Sequence, residues 1–248
     1  MRVPRAFFEA ELAEGGEIAL DERAARRLVR VLRKRRGDVV ELFDGAGRVA
    51  DAEIVEAHRR QGCRVRIRRV EARSVESPLT VELVQAMAKG EKMEWVVQKA
   101  TELGVAAFRP VVTRRSEVRP DGDGARRRMA RWREIAIAAC EQSGRSVLPA
   151  LHPPVALDAL APDARNRAVL SPTARAGLHE LAIDDGALCI AVGPEGGFDA
   201  SELDGLAAAG FRAAAVGPRV LRTETAAVAA LAVAQAQFGD LLSSEPSD

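Results

Sequence analysis

Nine consecutive apolar residues, Ala226 to Ala234, lie inside a stretch that runs G-P-R-V-L-R-T-E-T-A-A-V-A-A-L-A-V-A-Q-A-Q-F from Gly217 to Phe238. A helix with no polar face in its middle must be covered on more than one side, unlike a surface helix with a single apolar stripe. At about 15 residues it is shorter than the roughly 20 needed to span a bilayer, which leaves a buried core position or a subunit interface. A core helix that also faces a partner subunit is the favoured arrangement. Phe211 to Val216 ahead of it has strand character, and Thr223 is placed as the helix N-cap. Gly217 and Pro218 then mark a tight strand-to-helix loop.

A second segment repeats this layout. Ala187 to Val192 (A-L-C-I-A-V) is a continuous apolar run expected of a strand buried on both faces, and Gly193-Pro-Glu-Gly-Gly197 follows it directly. Asp199 and Glu202 then have the spacing of a capping box, and the helix they open is expected to close at Gly210. Two successive strand-loop-helix units indicate a parallel α/β sheet, whose ligands sit beyond the carboxyl ends of the strands. Three glycines in five positions allow close backbone approach to a ligand, although a plain tight turn uses the same residues. Glu195 and the absence of G-x-x-x-x-G-K-[ST] and G-x-G-x-x-G argue against a phosphate cradle.

The paired blocks Val192-Gly-Pro-Glu-Gly-Gly-Phe198 and Val216-Gly-Pro-Arg-Val-Leu-Arg-Thr-Glu-Thr-Ala226 resemble the signature of the RsmE family, the uracil-N3 methyltransferases of 16S ribosomal RNA in the SPOUT class. Further blocks are similar in the same order: Arg5-Ala-Phe-Phe8, Val31-Leu-Arg33, Lys89-Gly-Glu-Lys-Met-Glu94, Gln98-Lys-Ala-Thr-Glu-Leu-Gly104, Arg131-Trp132 and Glu141-Gln-Ser143 with Arg145. One departure is Arg26-Arg27, where relatives often carry histidine.

The resemblance implies a C-terminal parallel sheet with a deep trefoil knot, dimerisation through it, and a small PUA-like, barrel-forming RNA-binding domain in front. It also implies S-adenosylmethionine held by Leu170, Ser171, Val192, Gly193, Glu195, Gly196, Gly197, Val216, Gly217, Val220, Leu221, Thr223 and Ala226. Methyl transfer to uracil N3 requires negative charge to develop over N3, O2 and O4, and a fixed cation beside those oxygens stabilises it. Arg222 is expected to supply that cation, with Glu224 a weaker candidate for proton acceptor.

With 248 residues, 47% apolar and 29% charged, the chain has an ordinary globular composition. Its net charge is only +1, but residues 1–72 carry 17 Lys and Arg against 13 Asp and Glu, which suggests that this part meets an anion. Residues 1–72 are expected to form the RNA-binding β domain, 73–78 a linker, 79–242 the methyltransferase domain and 243–248 a disordered tail. A helix from Asp21 to about Arg33 is expected to turn Ala25, Leu28, Val31 and Leu32 inward and its arginines outward. The strand Cys63 to Val70 alternates apolar residues with arginines, a pattern suited to tracking backbone phosphates or to simple solvation.

Candidate RNA contacts in the first domain are Arg2, Arg5, Arg26, Arg27, Arg30, Arg33, Lys34, Arg66 and Arg68, and in the second Lys89, Lys92, Arg114 and Arg115. The basic start of the helix from Ala125 to about Ser143 is another. Cys63, Cys140 and Cys189 have no metal or disulfide spacing, and the start of the chain carries no secretory pattern, so a cytoplasmic protein without a metal is expected. Three alternatives stay open: a ribose 2′-O target, a ribosome-associated protein without catalysis, and an enzyme for a small metabolite.

Overall fold

The computed structural model describes residues 3–58 and 62–243. The chain forms two compact units, one comprising the residues up to Glu76 together with Cys140–Leu148, the other Ser77–Ala139 with the chain from Pro149 onward.

The first unit contains strands β1 (Arg5–Phe7) and β2 (Glu17–Ala19), helix α1 (Glu22–Ala25), and strands β3 (Val39–Phe43), β4 (Arg48–His58) and β5 (Gly62–Ala72). They make one sheet of order β1-β3-β4-β5-β2, in which β1 and β3 run parallel and the other pairs antiparallel. The alternation in β5 buries Cys63, Val65 and Ile67 and exposes Arg64, Arg66 and Arg68. Asp21 caps α1 by accepting from the Ala24 N–H at 2.6 Å. The helix then widens over Arg26–Val31 into a π-helical segment, with the Leu32 N–H donating to the Arg27 carbonyl at 2.9 Å.

That extra residue per turn shifts the phase of the inward face. Ala24, Ala25, Leu28 and Val29 are buried, whereas Val31 is 67% and Leu32 42% exposed, so the expected inward set is wrong at its last two positions.

Several arginines expected to face RNA are held inside this unit. Arg5 is buried: its Nε pairs with Glu41 and its Nη1 donates to the carbonyls of Cys140 and Arg145 at 2.9 and 3.0 Å. Arg27 is ion-paired with the buried Glu141. Arg66 and Arg68 lie exposed on the sheet but are matched by Glu17 and Glu53 across the strands. Arg26, Arg30 and Arg33 are exposed and Lys34 half-buried; Arg26 and Arg33 make no ion pair among the described residues. Arg2 and the tail residues 244–248 lie outside the described residues.

The second unit holds β6 (Thr80–Ala86), α2 (Lys92–Glu102), β7 (Val105–Val112), most of α3 (Gly122–Ser143), β8 (Ala150–Leu151), β9 (Val155–Ala156), β10 (Asn166–Leu170), β11 (Ala187–Val192), α4 (Ala200–Ala208), β12 (Arg212–Ala214) and α5 (Thr223–Phe238). The sheet order is β12-β10-β11-β6-β7-β8, with β9 also on β7, and every pair is parallel. β11 is buried from Leu188 to Val192, as its unbroken apolar run requires for a strand covered on both faces. Cys189 sits within it, and burial pushes its thiol pKa up to about 12.

Asp199 and Glu202 form the capping box of α4: the Asp199 carboxylate accepts from Glu202 N–H at 2.8 Å, and Glu202 accepts from Asp199 N–H at 2.9 Å. α5 packs Ala227, Ala230, Leu231 and Ala234 into the core, while Val228, Ala229, Ala232, Val233 and Ala236 on its remaining faces are only half-buried. The helix starts at Thr223 itself, with Arg222 in the N-cap position and no side-chain cap. Thr223 is therefore not the N-cap; its hydroxyl has a tertiary partner instead.

Candidate active site

The parallel arrangement of β10, β11 and β12 puts the three loops that leave their carboxyl ends side by side. Together with the start of α5 they enclose a cavity of about 600 Å³, within the roughly 300–1,000 Å³ of small-molecule sites. Leu170, Ser171, Val192, Gly193, Glu195, Gly196, Gly197, Val216, Gly217, Val220, Leu221, Thr223 and Ala226 all line it, as does Arg222. Glu224 does not line it and sits on the first turn of α5.

Two glycines are required by the loop geometry. A Cβ at Gly193 would lie 3.2 Å from the Phe198 nitrogen and ring, so the loop folds back more closely than a side chain permits. Gly217 has φ +73°, a left-handed turn into the final loop. In that loop Gly217, Arg219, Val220 and Leu221 make no main-chain hydrogen bond among the described residues, so their N–H and C=O groups remain free for a ligand.

The loops are joined by one buried chain of hydrogen bonds. Gln85, at the end of β6 and fully buried, donates its Nε2 to the Thr223 hydroxyl at 2.9 Å, and that hydroxyl donates to the Gly193 carbonyl at 2.6 Å. Thr223 thereby fixes the start of α5 against the glycine loop. Arg115 braces the same loop from outside, donating to the Gly196 carbonyl at 2.6 Å, while Arg114 pairs with Asp199 at 3.3 Å.

The charges are distributed unevenly. Lys92 at the cavity wall lies 2.7 Å from Glu195 and 3.7 Å from Glu224. The hydrogen bond to Glu195 raises the Lys92 pKa above the usual lysine range. Burial opposes ionisation of Glu195, yet the hydrogen bond from Lys92 and the loop's own main chain hold its carboxyl below the usual range. Both groups are charged at neutral pH. Arg222 and Arg219, by contrast, line the cavity with no ion pair or hydrogen bond to their side chains among the described residues. Glu195 and Glu224 both lie against Lys92, and neither pairs with Arg222.

Of the second unit's expected RNA contacts, Lys92 is thus part of the cavity, Arg114 and Arg115 brace its glycine loop, and Lys89 pairs with Glu117. Gln85, Lys92, Phe198 and Arg219 belong to this site or its support without a sequence signal that assigned them to it. Arg219 is the nearest to being legible, as a second arginine in the same loop; Lys92 and Gln85 lie more than 100 residues away in the chain and carry no local signal.

Comparison with known proteins agrees with this geometry. Residues 75–235 match the family model of an RNA methyltransferase domain, and residues 20–68 that of an RNA methyltransferase PUA domain. Ribosomal RNA small subunit methyltransferase E of Mycobacterium bovis is 35% identical over 91% of this chain and 88% of its own length. Its counterpart from Buchnera aphidicola subsp. Schizaphis graminum is 30% identical over 97% and 98%.

Among solved structures, a putative methyltransferase from Legionella pneumophila in complex with the cofactor SAM superposes with a TM-score of 0.93 at 37% identity, covering 97% of this chain and 100% of that one. The ribosomal RNA small subunit methyltransferase E of Neisseria gonorrhoeae bound to S-adenosylmethionine gives 0.88 at 35% identity, covering 96% and 99%. With both units matched and the glycine loops closing one cavity, the chain belongs to the ribosomal RNA small subunit methyltransferase E family.

Proposed function

We propose that this protein methylates N3 of a uridine in 16S ribosomal RNA of the small subunit, using S-adenosylmethionine. The observation that carries the proposal is the unpaired Arg222 guanidinium on the wall of a cavity built from three glycine- and proline-bearing loops. The cavity suits the cofactor: Leu170, Val192, Val216 and Ala226 offer apolar surface, and the free main-chain groups of residues 217–221 offer hydrogen bonds. When bound, S-adenosylmethionine supplies an electrophilic methyl group on a sulfonium.

The chain's residues then have to align and stabilise. Gln85 and Thr223 hold the loops in register, which keeps the two reactants in line, and alignment of this kind supplies a large part of the acceleration. Arg222 faces the charge that develops on the uracil as its N3 proton leaves. Glu224, outside the cavity wall and beside Lys92, helps orient that lysine rather than accepting the proton directly. Arg26, Arg33 and Lys34 remain as phosphate contacts of the first unit. Incubation with labelled cofactor and small-subunit particles lacking the modification, followed by nucleoside mass spectrometry, should yield 3-methyluridine. A 2′-O-methylated nucleoside would overturn the target, and unlabelled RNA the activity.

The half-buried apolar face of α5 supports a homodimer formed through the second unit, in keeping with the trefoil knot that the family implies. Light scattering after size exclusion should give twice the 26.6 kDa chain mass, and Ala232→Glu on that face should return one chain mass. A chain of monomer mass at micromolar concentration would rule the dimer out. A ribosomal substrate accords with a cytoplasmic enzyme; among the described residues no helix is long and apolar enough to cross a membrane.

A further inference from the structure

The second unit contains another hollow, of about 260 Å³, between the start of α2 and the first turns of α3. Its wall carries three arginines, Arg127, Arg128 and Arg131, which the helical spacings of three and four residues bring to one face. The single carboxylate in the hollow, Glu94, is taken by Arg131, whose Nε and Nη2 both lie 3.1 Å from its Oε2. Arg127 and Arg128 have no ion pair or hydrogen-bond partner for their side chains among the described residues.

This is not the rule for the run they belong to: the adjacent Arg126, outside the hollow, pairs with Asp123. Cations massed near the start of a helix oppose its dipole, so the fold gains nothing from leaving these two unmatched. Two walls lack side chains, at Gly90 and Gly124, which leaves the arginines room to receive a group between them.

We propose that this hollow binds a backbone phosphate of the substrate RNA. Guanidinium groups grip phosphate oxygens in pairs, and two unmatched arginines beside a third give that fork geometry. The indole of Trp132 closes the floor but is 1% exposed, so no base can stack on it. The hollow therefore takes the phosphate and reads no sequence: it positions the RNA and leaves choice of the uridine to the cofactor cavity. The inference rests on the RNA-methylating function proposed above.

The test uses the full chain carrying Arg127→Ala with Arg128→Ala, a second protein with both changed to Lys, and Arg126→Ala as the control for loss of charge outside the hollow. Equal melting temperatures establish that all are folded. The double alanine variant should raise the KM for small-subunit particles roughly tenfold at about 0.15 M salt. It should also flatten the slope of log affinity against log salt by about 0.7, the increment for one phosphate of a single strand. The kcat at saturating RNA and the calorimetric affinity for S-adenosylmethionine should not change. The lysine pair should recover most of the salt slope and part of the KM.

A wild-type protein that methylates while the double variant keeps its KM and slope overturns the phosphate site alone. So does an equal loss in Arg126→Ala, which would mark a generic charged surface. Inorganic phosphate that raises the melting temperature of wild type but not of the double variant, with RNA KM equal in both, would assign the hollow to free phosphate and overturn it too. A wild type that transfers no methyl group overturns the functional proposal and this inference together.

Discussion

Arg222→Ala is expected to lower the kcat for methyl transfer by about 10²–10³-fold, the range found when one preorganised donor is removed from a developing anion. Calorimetric affinity for S-adenosylmethionine should stay within about threefold of wild type, because the side chain has no fixed partner whose loss would deform the loops. The electrostatic argument is specific to this residue. Lys92 satisfies Glu195 and sits beside Glu224, so neither carboxylate draws the Arg222 guanidinium away from the cavity. Nor does its side chain cap α5, so truncation leaves the helix start intact. Arg222→Lys keeps the charge and loses the fork, and should restore only part of the rate. Equal loss of binding and of turnover in the alanine variant would show that Arg222 builds the cavity instead of acting in it.

The features that could be read from sequence are those encoded locally. β11 is an unbroken apolar run, α4 opens with a capping pair three residues apart, and the loops advertise themselves through glycine and proline. Their convergence on one cavity follows from a parallel sheet, whose strands must deliver their loops to the same edge.

What was not legible depends on partners far away in the chain. Thr223 has the form of a cap, but its hydroxyl is committed to Gly193 and Gln85, and a second hydrogen bond in the buried interior outweighs one at a helix end. Arg5, Arg27, Arg66 and Arg68 look alike as sequence, yet Glu41, Glu141, Glu17 and Glu53 decide which of them water or RNA can reach. The π-helical segment at Arg26–Val31 defeats a periodicity of 3.6 because one turn simply contains more residues.

The segment Cys140–Leu148 shows how much one such distant partner stabilises. Glu141 is buried with its side chain wholly out of solvent; it accepts from the Phe7 N–H at 3.2 Å and from Arg23 at 3.0 Å, and it pairs with Arg27. Glu141→Leu removes the shared acceptor while nearly conserving volume, so that Arg23, Arg27 and the Phe7 N–H each lose this carboxylate. Breaking a buried ion pair from one side costs about 3–5 kcal/mol. The side chains of Arg23 and Arg27 keep 26% and 31% exposure, so they can turn toward water and the lower end applies.

A loss of about 3 kcal/mol shifts the unfolding midpoint of a unit of this size by roughly 12–24 °C, a transition that calorimetry resolves. Affinity for S-adenosylmethionine should be unchanged, since none of these side chains lines its cavity. Adding Arg23→Met and Arg27→Met to Glu141→Leu replaces all three charged side chains and should recover much of the stability, as exchanging all members of a buried pair commonly does. A single variant destabilised by less than about 1 kcal/mol would mean that water already reaches the Glu141 carboxylate, and the anchoring of this segment would then rest on its other contacts, among them the Arg5 hydrogen bonds to Cys140 and Arg145 and the Arg145 pair with Glu76.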